Sequence, residues 1–410
     1  MRVIVVGGGA AGFFGAIAAA EANPQAQVTL LEAGRELLAK VRISGGGRCN
    51  VTHACFDPGL LVQHYPRGGK ALWGAFSRFQ TRDTVDWFAA KGVPLKTEAD
   101  GRMFPVTDDS ATIVDCLVDT ARRLGVRIMI GAAVVRVAAN PDPAAPPLFT
   151  VYGRSGETWQ GDRLLLATGS SPQGWRIATE LGHQIHPPVP SLFTFNLDDP
   201  RLQGLAGLSV NPVHLRLIVP DQKPLEQSGA LLITHWGLSG PAVLKLSAWG
   251  ARILHANRYR AKLMVNWLPN ANRDSLQQQL LAVKSQLPRR AIASNCPVLL
   301  PQRLWQRFCA IAGIDDQKRW ADLSNSMLRT LLQESLQGTY TVRGKGVFKE
   351  EFVTCGGVDL KQVNFKTMES RCCPGLYFAG EVLDIDGVTG GFNFQSAWTT
   401  SWLAAQAISL

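Results

Sequence analysis

The sequence predicts an α/β protein: a Rossmann-type dinucleotide-binding domain interrupted by an inserted segment of strands followed by helices. Three observations carry this. At the start of the chain a β-branched run, a G-x-G-x-x-G turn, a helix-like run, a second strand and an acid follow one another. A further buried run, "RLLLATGS" (163–170), ends in Thr168 and Gly169, and "LYFAG" (376–380) leads to paired glycines and another helix-like run. Between these two returns, from about 191 to 344, the pattern changes character.

A chain of 410 residues is too long for one simple core, so two or more domains are expected. The bounds that follow are 1–190 for the first part of the nucleotide domain, 191–344 for the insert and 345–410 for the return. Apolar residues at 46% against 18% charged fit a globular domain and argue against a disordered chain. The run "NPDPAAPP" (140–147) reads as an exposed connection. Eight cysteines stand at irregular positions without zinc-ribbon spacing, so no metal site is expected. Free thiols suit a reducing compartment, which makes the cytoplasm the expected location. The apolar N-terminal run imitates a signal peptide, but its glycines fall where a strand-to-helix turn needs them. No run reaches membrane-spanning length without charges or breakers.

The opening elements have separate tasks. "RVIVV" (2–6) reads as a buried strand. In "GGGAAG" (7–12), Gly7 permits the tight turn, Gly9 lets backbone approach a pyrophosphate, and Gly12 lets helix and strand pack closely. The start of the following helix, at Ala10 and Ala11, offers free N–H groups and positive dipole charge. Glu32, twenty residues past Gly12 at the end of "QVTLLEA", can accept hydrogen bonds from ribose hydroxyls, with Ala33 beside it. A glycine turn without a ligand is the plain alternative, but the full strand, turn, helix, strand and acid series argues for a dinucleotide. The motif occurs once, which leaves NAD and FAD open at this point.

The stretch "SGGGRCNVT" (44–52) places bare backbone at Gly46 and Gly47 beside a cation, Arg48, a thiol, Cys49, and an amide, Asn50. Near the C-terminus, "GLYFAGEVLDIDGVTGGFNFQSAWTTSW" (375–402) joins a strand ending at Gly380 and Glu381 to a helix starting near Asn393. N–H groups at such a helix start could stabilise negative charge on a reduced flavin ring.

With "LLITHWGLSGPAVLKLS" (231–247), "VTCGGVDL" (353–360) and "KTMESR" (366–371), these motifs resemble the BaiN/YhiN-like family of FAD-dependent flavoproteins, also described as aminoacetone-oxidase-type FAD-binding enzymes. The resemblance runs from end to end. It implies a glutathione-reductase-like FAD domain carrying an inserted domain, with FAD as cofactor. It implies that residues 44–50 lie along FAD, with Arg48 near the pyrophosphate or the ring, and that Val134, Thr168, Gly169, Gly380, Glu381, Gly391, Phe392, Asn393 and Gln395 also contact the cofactor. Glu381 is expected to bind rather than catalyse, and Asp384 and Asp386 beside it to be solvated. Two departures stand out. His53 occupies a position where many members have asparagine, and the loop "SSPQGWRIATELGH" (170–183) is short and poor in glycine.

In the insert, "LFTFNL", "VHLRLIV" and "GALLITH" read as strands, and three later runs read as helices, so a β part followed by a helical part is expected to form a lid. Trp267, Trp305 and Trp320 read as core. His235 is a candidate to protonate or orient a substrate, or a structural histidine holding a loop. Cys49 is a candidate redox thiol, or simply a small packed residue, which its lack of a C-x-x-C partner favours.

The net charge is +10 and arginine outnumbers lysine 29 to 13. Residues 251–345 hold 15 Lys plus Arg against 5 Asp plus Glu, so the rest is balanced at 27 of each (42 − 15 and 32 − 5). A solvated helical face explains this plainly; an anionic ligand is the sharper reading. The function expected is an FAD-dependent oxidoreductase moving a hydride or electrons between flavin and a small organic substrate, with NAD(P)H as a dissociable donor. Two alternatives stand behind it: a flavoenzyme modifying RNA such as tRNA, for which no RNA-binding module is recognisable, and a flavin-binding sensor without turnover.

Overall fold

The computed structural model describes residues 1–140, 142, 146–346 and 353–409. Half of the connection expected at 140–147 therefore lies outside the described residues. The chain divides into two compact units, Met1–Val189 with Val353–Leu410, and Pro190–Phe352.

The first unit is built on a seven-stranded sheet. Its spatial order is Val363–Asn364, Glu369–Ser370, Leu376–Phe378, Arg163–Leu166, β1 (Arg2–Val6), β2 (Gln27–Leu31) and Arg127–Met129. The five strands from Leu376–Phe378 to Arg127–Met129 are parallel, with Val3 to Val6 opposite Arg163 to Leu166 on one side and Val28 to Leu31 on the other. Central parallel strands are covered on both faces, which is why these runs are continuous Val and Leu: Val3, Leu30 and Leu164 to Leu166 are buried. Helix α1 (Ala10–Ala22) joins β1 to β2 and is buried from Ala11 to Ala20. An all-round apolar helix belongs in a core. It packs along the last helix, Phe392–Ile408, where Ser401 Oγ donates to Ala11 O at 2.7 Å. Two antiparallel three-stranded sheets also belong to this unit: Val134–Ala139, Phe149–Gly153 and Thr158–Gly161, and Thr52–His53, Arg102–Pro105 and Leu95–Thr97.

The second unit holds a seven-stranded antiparallel sheet in the order Gly338–Val342, Ala261–Asn266, Ser209–Ile218, Leu225–Thr234, Gly237–Ser239, Phe195–Asn196 and Gly344–Lys345. The first and last of these strands are separated in the chain by Arg343 alone, so the sheet curls until its edges meet there. Helices Arg273–Gln286, Gln302–Ile311 and Asn325–Gln337 fall where the apolar spacing predicts them. Ser324 caps the last by accepting from Met327 N at 3.3 Å. Trp267, Trp305 and Trp320 are core residues. One expectation is corrected. The strands do not all precede the helices, because Ala261–Asn266 and Gly338–Val342 bracket the helical run and pair with each other. Non-local pairing of this kind is invisible to local pattern.

All eight cysteines are free thiols. Among the described residues no helix is long and apolar enough to cross a membrane.

Candidate cofactor site

The glycines after β1 divide into two kinds. A Cβ on Gly7, whose φ is +111°, would lie 2.4 Å from Ala167 O, and one on Gly12 would lie 1.8 Å from Gly7 O. Side chains there are excluded by the protein's own backbone. A Cβ on Gly9 would meet nothing within 4 Å. Gly9 caps α1 without a side-chain bond, so the N–H groups of Ala10 and Ala11 begin the helix with no acceptor inside it. This is an anion-ready helix start bordered by open space.

Glu32 stands beside the same turn. One carboxylate oxygen accepts Gly8 N at 2.6 Å and the other accepts Gly34 N at 2.6 Å. Its main chain accepts Ala132 N at 2.8 Å, which brings Ala33 and the buried start of the strand at Val134 to the same end of the sheet. Each carboxylate oxygen keeps a further lone pair for a ribose hydroxyl.

Thr168 follows the strand Arg163–Leu166, and a Cβ on Gly7 would touch its Cα at 3.0 Å. Its hydroxyl is buried without a hydrogen-bond partner. Buried polar groups normally find partners, so this orphan, packed against Gly174 where a Cβ would lie 1.8 Å from it, fits a bound polar group. Gly169, with φ +58°, lets the chain turn away.

The 44–50 segment breaks out of helix Ala39–Gly47 at Ser44, whose ψ is 152°, and continues through Gly45 and Gly46 at φ 58° and 71°. Added Cβ atoms at Gly46 and Gly47 would meet nothing within 4 Å. The bare backbone is therefore open outward, as a close-lying flat or extended ligand requires. Taken with Gly9 and Thr168, the donor set and free space of this unit fit a dinucleotide such as FAD.

Three of the expected contacts already have protein partners, and one expected solvent position is corrected. The Arg48 guanidinium bonds Glu98 Oε1 at 2.6 Å, stands 3.5 Å from Asp108 and lies 4.1 Å over the Phe104 ring. Glu381 accepts Lys40 Nζ at 2.8 Å and Thr354 N at 2.9 Å, so it clamps two protein segments. Gln395 is fully buried, its Oε1 accepting from Thr52 at 2.6 Å and Thr84 at 3.0 Å while its Nε2 donates to Thr399 at 3.1 Å. Asp386, expected in solvent, is fully buried and paired with Arg67.

Asn50 and Asn393 shape the backbone around the last helix. With its amide oriented to satisfy both ends, Asn50 donates to Thr52 O at 3.0 Å and accepts Gly391 N at 2.9 Å. Gly391 packs so close that a Cβ would lie 2.5 Å from Thr52 O. Asn393 accepts Gly387 N at 2.8 Å and donates to Gly387 O at 2.9 Å, closing the loop before the helix. Gly380 packs on Ala11, with a notional Cβ 2.8 Å from the Ala11 Cβ. Phe392 stacks against both His53 and His64, at 4.7 and 4.2 Å between ring centroids, and the two histidine rings lie 5.9 Å from each other; the Phe392 carbonyl accepts Tyr65 OH at 2.6 Å.

Cys49 fits the packed reading. It is buried with φ +60°, and burial pushes its thiol up to about 12, the opposite of an activated thiolate. His235 lies in the other unit, exposed in the turn between Leu225–Thr234 and Gly237–Ser239. Sequence reasoning missed Lys40, Tyr65 and Trp398, whose Nε1 donates to Val51 O at 3.0 Å. Their partners are up to 347 positions away, and no local pattern points to them.

The chain matches the HI0933-like protein Rossmann domain over residues 1–407. It is 33% identical to the ribosomal RNA dihydrouridine synthase of Escherichia coli K12, over 98% of this chain and 96% of that protein. It is 28% identical to the 3-dehydro-bile acid delta(4,6)-reductase of Clostridium scindens, over 99% and 98% respectively. Among solved structures, the 3-ketosteroid-delta4-(5alpha)-dehydrogenase of Rhodococcus jostii shares the fold with a TM-score of 0.52 at 16% identity, over 100% of this chain and 96% of that one. The chain belongs to the HI0933-like family, the BaiN/YhiN-like group of FAD-dependent oxidoreductases that its sequence motifs resemble.

Proposed function

We propose that this protein holds FAD along the open glycine turns of its first unit and reduces a carbon–carbon double bond conjugated to a carbonyl, with a uridine in RNA as substrate. The carrying observation is the combination of outward-open backbone at Gly9, Gly46 and Gly47 with the orphaned Thr168 hydroxyl. Bound there, FAD would supply the hydride, and its electronics would be the protein's to tune. The helix start at Ala10 and Ala11 would receive the pyrophosphate, Glu32 the ribose and Thr168 a further polar group. The start of the helix Phe392–Ile408, seated by Asn50 and Gly391, would offer N–H groups and positive dipole charge to the ring edge.

The reaction class is supported by the two relatives' names taken together. A dihydrouridine synthase and a bile acid delta(4,6)-reductase both add two hydrogens across a double bond activated by a carbonyl. Such a bond accepts a hydride at the carbon remote from the carbonyl and a proton at the carbon next to it. RNA is favoured over a small molecule by the charge: the whole +10 excess lies in residues 251–345, and polyanion binding rests on such an excess. NAD(P)H, as a dissociable donor, completes the electron balance.

Anaerobic incubation of the FAD-loaded protein with NADPH and unmodified ribosomal RNA transcribed in vitro tests this. Dihydrouridine in the nuclease digest is the expected product. Reduction of an unsaturated 3-ketosteroid with no change in the RNA would transfer the assignment to a small-molecule reductase.

A further inference from the structure

The motif "THWGLSG" (234–240) is not used by the cofactor site, and the structure gives it a distinctive setting. Trp236 is 65% exposed, an unusual state for so large an apolar ring. The turn that carries it is firmly built. Thr234 Oγ1 donates to Gly237 O at 3.2 Å and accepts Trp236 N at 3.3 Å. Trp236 O accepts Leu197 N at 2.9 Å. Gly237, at φ +147°, packs so tightly that a Cβ would lie 2.1 Å from Phe195 O. The backbone is fixed while the ring faces solvent.

Cationic residues stand along the same rim of the sheet. Asn196 pairs with Gly237 on one side and Gly344 on the other, and Arg343 N donates to Asn196 O at 2.9 Å. Trp236 and Arg343 therefore sit at the same rim of the curled sheet, two strand spacings or about 10 Å apart. Val342 pairs with Ala261, which sets Arg260 beside Arg343 on its far side. Arg260 and His235 are exposed, and so is Arg258 at the preceding turn. Among the described residues, Asp198 is an acid at this rim, 3.3 Å from Arg343, in an ion pair whose side chains are 63% and 75% exposed. Pairs so exposed hold their partners weakly, and a phosphate can compete for the guanidinium.

A rigid exposed aromatic beside arginines is the arrangement that binds single-stranded nucleic acid, with bases on rings and phosphates on cations. We propose that Trp236 is a stacking platform for an unpaired base of the RNA substrate, and that Arg343 and Arg260 hold the adjoining phosphates. This rests on the RNA reading of the function and adds the place where the strand is gripped.

Binding of the FAD-loaded protein to unmodified, in vitro transcribed ribosomal RNA, measured over a series of salt concentrations, tests it. Loss of one stacked base is worth about 1–3 kcal/mol, so Trp236→Ala is expected to weaken binding roughly 5- to 150-fold at every salt concentration. Trp236→Phe should keep most of the affinity, which separates stacking from folding. Arg260→Gln with Arg343→Gln should lower the slope of log affinity against log salt by about 0.7 per phosphate lost. Wild-type binding with an unchanged Trp236→Ala affinity would overturn the platform while leaving the RNA reading intact. Absence of wild-type binding would overturn the RNA reading and this inference with it.

Discussion

The Glu32 carboxylate accepts the Gly8 N–H at 2.6 Å, binding the end of β2 to the turn after β1. The second oxygen does the same for Gly34. The acid expected to meet a ribose is thus first a brace for the dinucleotide turn. Glu32→Ala removes two charge-assisted acceptors, each worth about 1.5–3 kcal/mol. It should lower both the FAD content of the purified protein and the melting temperature of the apoprotein. Full FAD occupancy would remove Glu32 from the cofactor site.

Gly9 and Gly12 should fail differently. Gly9 has φ −87° and free space outside it. Gly9→Val should leave the apoprotein's unfolding nearly unchanged and abolish FAD binding by filling the cradle. Gly12→Ala should destabilise the apoprotein itself, since its methyl would collide with Gly7 O at 1.8 Å. Denaturant unfolding of both apoproteins, with FAD titration of each, checks the contrast.

Cys49 should be chemically quiet. Burial raises its folded-state pKa to about 12, so the neutral thiol persists well above the ordinary range. The stability it contributes is present below pH 9 and is lost as pH rises toward 12. Alkylation of the native protein at pH 8 should label the exposed Cys372 and leave Cys49 unmodified until denaturant is added. Labelling of native Cys49 at a rate like that of Cys372 would reinstate the redox reading.

Gln395 tests how far the last helix depends on its buried contacts. Its Oε1 serves the hydroxyls of Thr52 and Thr84, both fully buried. Gln395→Leu leaves the Thr52 hydroxyl unsatisfied at about 1–3 kcal/mol, while the Thr84 hydroxyl keeps Gln80 O at 3.3 Å as an acceptor. A loss of about 1–3 kcal/mol in denaturant unfolding is expected. A change below about 0.5 kcal/mol would mean that the cluster rearranges freely.

These contrasts mark what the chain discloses locally. The turn from Gly7 to Gly12 and the acid Glu32 were legible because their chemistry follows from short spacings. The insert's helices were legible from apolar period and caps. The partners of Arg48 and Glu381, Glu98 and Lys40, were not legible, because a charged residue in a glycine-rich motif looks ready for a ligand while its protein partner is set by tertiary structure. Asp386 was misread for the same reason, since Arg67 lies 319 positions away. The division of the insert into strands and then helices failed because Ala261–Asn266 and Gly338–Val342 complete one sheet across the intervening helices.

The most direct test of the central claim is an absorbance spectrum of the purified protein, recorded without oxygen before and after NADPH. The account predicts flavin bands that bleach on reduction and return when unmodified ribosomal RNA is added. A protein that shows no flavin bands after incubation with FAD would contradict it.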